Sequence, residues 1–112
     1  MKSKVRDVED VRVIELEGRI AIGTGDVKLR ELVQQALDEG RTRIVIDLAK
    51  VSSIDSSGIG EMVAAYTTVT RRGGRLALAR LSPRIDDVLQ VTQLITVLDV
   101  FSSVEEAIAA LR

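Results

Sequence analysis

The residues of this chain with the clearest chemical potential are an acid and two hydroxyls in the run Asp55-Ser56-Ser57-Gly58. They follow the branched apolar run Ile44–Ile46 and precede a segment with helical spacing. This pattern predicts a buried strand that stops at Asp47, a loop of small polar residues, and then a helix. Because the free amides and the dipole of a helix N-terminus favour an anion, an exposed serine there is a candidate phosphate acceptor.

Two other interpretations of this junction are open on the residues alone. In the first, Ser56 or Ser57 caps the helix by accepting from amides of its first turn, and Gly58 allows close packing. In the second, Asp47 and Asp55 belong to a phosphoaspartate receiver or a metal site. That second site would need further acids from another strand end, which the sequence does not place.

Composition excludes several classes of function. The chain of 112 residues has no Cys and no His, which excludes disulfides, thiolate metal sites and a Ser-His-Asp triad. Lys and Arg number 16 against 17 for Asp and Glu, so the basic surplus that nucleic-acid binding needs is missing. No apolar run approaches the length of a membrane span, and the N-terminus lacks a signal-peptide pattern. We therefore expect a single cytoplasmic domain over residues 1–112, without enzymatic activity, cofactor, metal or membrane partner.

The elements predicted by periodicity alternate along the chain. An opening hairpin turns at Glu9-Asp10, and Ser82-Pro83 starts the third of about four helices. In the second helix the apolar residues Ile59, Met62, Val63, Tyr66 and Val69 repeat at intervals of three and four. The predicted strands are Lys4–Val8, Val11–Glu17, Ile44–Ile46, Arg75–Arg80 and Val97–Phe101. The first predicted helix starts at Leu29 and stops before Gly40, the second ends at about Arg71, the third begins at Pro83 and extends to Thr92, and the last ends at Leu111 after a capping box of Ser102 and Glu105. The fold class is therefore α/β, a mixed β-sheet of about four to five strands with its hairpin at one edge, packed with helices.

Three segments resemble one known family. They are IVIDLAKVSSIDSSGIGEMV, then Arg72-Gly73-Gly74 followed by LALARLSPRI, and the final FSSVEEAIAAL. Their order and content resemble a STAS domain, the module shared by sulfate-transporter tails and anti-sigma factor antagonists. The resemblance covers essentially the whole chain and implies the same mixed sheet with helices.

The resemblance also implies a function and a set of site residues. A STAS antagonist binds an ATP-using anti-sigma factor serine kinase, frees the sigma factor, and is released when the first serine of the motif is phosphorylated; that serine maps to Ser56. A serine phosphatase would be a further partner, and we expect a monomer or weak dimer. The expected partner surface is the junction with the exposed side of the second helix: Asp55, Ser56, Ser57, Gly58, Ile59, Gly60, Glu61, Ala64, Ala65 and Thr68, together with Asp26.

The segment between Gly18 and Asp26 departs from the family pattern, in which Gly-x-x-Asp usually precedes the first helix. Asp26 can replace that acid, but the longer loop leaves a second function open, a scaffold or sensory STAS domain that binds a protein or nucleotide and is never phosphorylated. Gly23-Thr24-Gly25 could cradle a phosphate, although a turn is the better interpretation of an isolated Gly-x-Gly.

Overall fold

The chain folds into a five-stranded sheet with four helices, and the computed structural model describes all residues 1–112. The elements in order are β1 (Lys2–Val8), β2 (Val11–Ile20), α1 (Asp26–Asp38), β3 (Arg43–Ile54), α2 (Ser56–Arg71), β4 (Arg75–Ala79), α3 (Pro83–Val91), a single 3-10 turn (Leu94–Thr96), β5 (Asp99–Phe101) and α4 (Val104–Leu111). None of the helices has the length and apolar character needed to span a membrane.

The strands lie in the order β1-β2-β3-β4-β5, with the first pair antiparallel and the other pairs parallel. This confirms the mixed sheet, the hairpin at its edge and the parallel pairing of strands that are joined through helices. In the hairpin turn Glu9 adopts a left-handed conformation with φ 58°. Parallel strands bring their carboxyl ends to one edge of the sheet, so the segments that follow β2 and β3 become neighbours.

The core has two layers, one on each face of the sheet. The larger contains 20 buried residues and packs α1, α2 and α3 on one face, with the fully buried Ile46 of the central strand among them. The smaller contains nine buried residues and packs α4 on the other face, around Val45 and Ile108. Both layers are built from aliphatic side chains, which agrees with the scarcity of aromatic residues.

The strand β3 is longer than predicted, and the prediction of a loop after Asp47 is wrong because the strand continues to Ile54. β2 also continues past Gly18, and the two strands stay paired until Ile20 lies opposite Ile54. Two register shifts accommodate the added length, and Gly18 has a φ of 117°, which favours glycine. As a result β3 runs directly into Asp55 and α2.

Three helix ends follow the predicted signals, namely the C-termini of α1 and α2 and the N-terminus of α3. Gly40 and Gly73, just after α1 and α2, have φ values of 78° and 76°, as expected for helix stops. Ser82 caps α3 by accepting from the backbone N–H of Ile85. The predicted capping box of Ser102 with Glu105 is wrong by one residue.

The N-cap of α4 is Ser103, which accepts from the N–H of Glu106, while the Ser102 hydroxyl donates to the Glu106 carboxylate. The shift arises because β5 stays extended through Phe101 and Ser103 keeps an extended backbone, so that Val104 is the first helical residue and is buried. The strand itself starts at Asp99 rather than Val97 because a 3-10 turn occupies the preceding residues.

Candidate functional site

The candidate site lies where β2 and β3 end side by side. The backbone N–H of Asp55 donates to the carbonyl of Ile20 at 3.1 Å, which continues the pairing of the two strands by one step. After Ile20 the chain makes the turn 21–25 and enters α1, whereas after Asp55 it enters α2 at once. The turn and the N-termini of both helices therefore form one surface at the carboxyl edge of the sheet.

Asp55 is the N-cap of α2, so the prediction that Ser56 or Ser57 caps this helix is wrong. One carboxylate oxygen accepts from the backbone N–H of Gly58 at 2.9 Å, and the other accepts from the N–H of Ile22 at 3.1 Å. These bonds, that from Gly58 foremost, lower the pKa of Asp55 below its ordinary value. The carboxylate thus joins the start of α2 to the turn after β2.

Ser56 occupies the first helical position of α2 and is exposed. Because Asp55 already caps the helix, the Ser56 hydroxyl is not needed for that purpose. Its place at the N-terminus of a 16-residue helix favours a negative charge on the side chain. The geometry fits a hydroxyl that an external enzyme can reach.

Ser57 differs from its neighbour because its hydroxyl donates a hydrogen bond at 2.7 Å to the carboxylate of Asp26. Asp26 is buried, with 7% of its surface exposed, at the first position of α1. Its other oxygen accepts from the backbone N–H of Gly23 at 3.0 Å and of Val27 at 2.7 Å. The Ser57 bond is the main reason that the pKa of Asp26 is lowered, and it ties the N-termini of α1 and α2 together.

Two glycines let these segments approach each other closely. A Cβ atom added at Gly58 would lie 2.3 Å from the carbonyl oxygen of Ile20, and one at Gly25 would lie 2.4 Å from that of Arg19. Backbone atoms cannot move aside as a flexible side chain can, so both positions require glycine. The close packing expected at Gly58 is confirmed.

The segment Gly23-Thr24-Gly25 forms a turn and does not cradle a phosphate. The amides of Thr24 and Gly25 both donate to the carbonyl of Ala21, at 2.9 Å and 3.1 Å. Those two N–H groups are consequently engaged within the chain.

The exposed side of α2 differs from the prediction at two residues. Ala65 is buried, with 6% exposed, because it packs into the larger core layer, and the exposure expected for it is wrong. Val63, which belongs to the apolar repeat of this helix, is 36% exposed. Ala64 and Thr68 are exposed as expected, and Glu61 is half-buried and pairs with Arg30 of α1 at 3.5 Å. A cavity of about 160 Å³ lies between the two helices and is lined by Arg30, Val33, Gln34, Glu61, Ala64, Ala65 and Thr68.

Sequence reasoning missed the exposed apolar residues beside the site. Ile22 in the turn is 76% exposed, and Val27 in the first turn of α1 is 41% exposed. A signal was present, since an isoleucine between strand and helix in a Gly-rich segment has no stripe to join. The backbone of Ile22 is held by Asp55, so its side chain projects from a fixed turn next to the serines.

Asp47 does not join Asp55 in a second acidic site. It is 3% exposed on the central strand, on the α4 side of the sheet, and accepts two hydrogen bonds from the guanidinium of Arg80. Asp47 is therefore part of a structural ion pair, and the acids that bond to the first turn of α2 are Asp55 and Asp26.

Comparisons with known proteins agree with this architecture. Residues 2–107 match the family model described as STAS domain. The chain is 30% identical over 101 residues to the anti-sigma-B factor antagonist of Bacillus subtilis, covering 90% of this chain and 91% of that protein. The crystal structure of an anti-sigma factor antagonist from Mycobacterium paratuberculosis superposes with a TM-score of 0.87 at 21% identity, covering 99% and 93% of the two chains. The Bacillus cell fate determinant SpoIIAA in its phosphorylated form superposes with a TM-score of 0.76 at 25% identity, covering 99% and 100%.

Proposed function

Because this chain belongs to the STAS domain family, we propose that it is an anti-sigma factor antagonist regulated by phosphorylation of Ser56. In this proposal the unphosphorylated chain binds an anti-sigma factor that is also an ATP-dependent serine kinase. Phosphorylation of Ser56 then causes the complex to dissociate. A serine phosphatase removes the phosphate, and the chain can bind its partner again. The single observation that carries the proposal is the exposed Ser56 hydroxyl at the start of α2, beside a second serine whose hydroxyl is engaged.

The relatives support both parts of this proposal. The Bacillus subtilis protein of 30% identity is named an anti-sigma-B factor antagonist, and it matches along 91% of its length. SpoIIAA, which shares the fold, has structures in both an unphosphorylated and a phosphorylated form. A STAS fold of this size thus accommodates a phosphate.

The phosphoryl transfer that we propose uses few groups of this chain. The Ser56 oxygen forms a bond to the γ-phosphorus of ATP, the bond from that phosphorus to the bridging oxygen breaks, ADP leaves, and a base of the kinase takes the hydroxyl proton. This chain supplies an accessible hydroxyl in a fixed place, because Asp55 caps α2 through the N–H of Gly58 and joins the helix start to the turn through the N–H of Ile22. The helix N-terminus favours the charge of the product.

The proposed partner surface surrounds Ser56. It contains exposed and half-buried residues of the junction and of α2, and it extends onto the turn after β2 through Ile22 and onto α1 through Val27. Asp26 supports this surface from below, since it is buried and holds Ser57. The members that we propose are Asp55, Ser56, Ser57, Ile59, Gly60, Glu61 and Ala64, with Ile22 and Val27 added, whereas Gly58 is buried against Ile20 and is left out.

The switch that we propose acts through charge at the interface. A phosphate on Ser56 adds about −1.5 to −2 charges at pH 7. Within the domain the α2 N-terminus favours that charge by roughly 0.3–1 kcal/mol, and the nearby Asp55 opposes it, so the fold has little reason to change. Against a partner, like charges placed together cost several kcal/mol, and about 3 kcal/mol already weakens binding some hundredfold.

Intact-mass measurement tests the proposal directly. The purified protein is incubated with candidate ATPase-type serine kinases and MgATP, and modified peptides are mapped. We expect one phosphate, on Ser56, and none in the Ser56→Ala variant. A chain that binds such a kinase tightly and is never phosphorylated by it would instead be a scaffold or sensory STAS domain.

A further inference from the structure

The two adjacent serines at the start of α2 present a kinase with two hydroxyls one residue apart. We propose that Asp26 restricts phosphorylation to Ser56 by engaging the hydroxyl of Ser57. This inference rests on the proposed function, and it assigns to a residue of α1 the choice between two acceptors on α2. Asp26 acts here as a specificity-determining residue and takes no part in the transfer itself.

The first argument is the direction of the hydrogen bond. The Ser57 hydroxyl donates its proton to Asp26 at 2.7 Å, and the acceptor is 93% buried. To act as a nucleophile, Ser57 must give up this bond and turn toward the kinase. That movement would leave an oxygen of the buried carboxylate without its hydrogen-bond donor, which disfavours the movement.

The second argument is the charge that the product would carry. Phosphate on Ser57 would place a dianion within contact distance of the Asp26 carboxylate. Asp55 lies close enough to Asp26 for their charges to repel each other, so a second acid faces the same place. Like charges in a partly buried place repel strongly. Asp26 therefore disfavours phosphorylated Ser57, just as it binds the hydroxyl of unmodified Ser57.

A rival interpretation makes Asp26 a general base that would activate Ser57. In either transfer an Oγ–P bond forms, the bond from the γ-phosphorus to the bridging oxygen of ATP breaks, ADP leaves, and the hydroxyl proton must be accepted. Three hydrogen bonds already stabilise the ionised form of Asp26 and lower its pKa, which makes it a poor proton acceptor. The two interpretations predict opposite effects when Asp26 is changed.

The substitution Asp26→Asn separates them with little change in shape. The backbone amides of Gly23 and Val27 both donate to the same oxygen of Asp26, so the amide oxygen of asparagine must take that place. The amide NH₂ then faces Ser57 and donates to its oxygen. The variant removes the charge, reverses the bond to Ser57 and keeps the contacts that start α1.

The first test needs no kinase. Phosphoserine is incorporated during synthesis at position 56 or at position 57, each in the native background and with Asp26→Asn, and melting temperatures are measured. We expect phosphate at Ser57 to lower the melting temperature of the native background by about 5 °C or more, and Asp26→Asn to remove most of that loss. Phosphate at Ser56 should have little effect in either background. An equal loss for Ser57 phosphate with and without Asp26→Asn would overturn the inference.

The second test uses the kinase that phosphorylates the native protein. In the Ser56→Ala background, adding Asp26→Asn should raise phosphorylation of Ser57 by about tenfold or more. Asp38→Asn is the matched control, since it makes the same change at the exposed far end of α1, where the carboxylate accepts from Gln34, and it should leave Ser57 unmodified. Loss of Ser57 phosphorylation on adding Asp26→Asn would establish the rival interpretation. If no kinase modifies the native protein, the proposed function fails, while the melting temperatures still decide the role of Asp26.

Discussion

Gly60 lies one helical turn after Ser56 on α2, and a Cβ atom added at Gly60 would meet no other atom within 4 Å. A helix with glycine at an exposed interior position is less stable than the same helix with alanine by about 0.5–1 kcal/mol. At Gly58 a contact with the Ile20 carbonyl explains the glycine, and at Gly60 nothing inside the domain does. A partner that approaches the helix backbone closely beside Ser56 would account for it.

The Gly60→Ala variant should therefore be more stable and bind less well. We expect its free energy of unfolding to rise by about 0.5–1 kcal/mol in urea denaturation, because alanine favours the helix. Its affinity for the kinase should fall, since the methyl group occupies space that the partner needs. Thr70→Ala, at another exposed position of α2, is the control that should gain stability with unchanged affinity. If Gly60→Ala bound the kinase as tightly as the native chain does, a close approach of the partner at Gly60 would be excluded.

Ile22 should act as an apolar contact for the partner. Ile22→Ser keeps the backbone N–H that donates to Asp55 and removes a side chain that is 76% exposed, so stability should hardly change. Burial of such a side chain is worth about 1.5–3 kcal/mol, so affinity for the kinase should fall by roughly tenfold or more. Val91→Ser, at a side chain 85% exposed at the C-terminal end of α3, is the matched control. Equal affinities of the two variants in calorimetry would exclude the turn from the interface.

The ion pair of Arg80 with Asp47 should contribute more to stability than the exposed pairs. Asp47 is 3% exposed, and the side chain of Arg80 is 46% exposed, so solvent screens the pair in part. We expect Arg80→Ala to lower the free energy of unfolding by about 1–3 kcal/mol, because it leaves a buried carboxylate without its cation. Arg43→Ala, which breaks an exposed pair with Asp10, should cost less than about 1 kcal/mol. Equal losses for the two variants in denaturant titrations would refute this ranking.

Acid should weaken the contacts that hold the site together. The pKa of Asp26 is lowered from 3.8, first by the bond from Ser57, and the pKa of Asp55 is lowered from 3.8, first by the N–H of Gly58. A carboxylate with a lowered pKa in the folded state stabilises fully above its unfolded value, and this contribution is lost as pH falls through the folded value. The stability difference between the native chain and Asp26→Asn should therefore be largest above about pH 4 and shrink below it. Melting curves of both proteins from pH 7 to pH 2 measure this difference. A stability difference that grows toward low pH would contradict a lowered pKa of Asp26 in the folded state.

Much of the fold could be predicted because its signals are local. The stripe on α1, from Leu29 to Leu37, is buried as its spacing indicates, and Ser82-Pro83 starts α3 where proline is tolerated. The extension of β3 to Ile54 could not be predicted in this way, because small polar residues become strand only through pairing with β2. The burial of Ala65 depends likewise on where α1 packs.

The helix start at which the candidate site lies was predicted from the sequence, but the hydrogen-bonding roles of its residues were not. The order of Asp55, Ser56 and Ser57 indicates a helix start, yet any of the three can cap a helix. Asp55 is the residue that caps α2 because its carboxylate also accepts from the N–H of Ile22. The Ser57 hydroxyl donates instead to Asp26, which lies 31 residues earlier in the chain. Contacts over such separations arise from the tertiary fold.

The most direct measurement is binding of the kinase to the native chain and to two Ser56 variants, with and without ATP. The proposal predicts that the native chain binds with ADP and is released after incubation with ATP, whereas Ser56→Ala binds and is not released. Ser56→Asp should bind far more weakly while its melting temperature stays within a few degrees of the native value, the shift that about 1 kcal/mol produces in a domain of this size. Release of Ser56→Ala by ATP, or loss of binding by Ser56→Asp together with a large fall in melting temperature, would contradict a switch that acts by charge on Ser56.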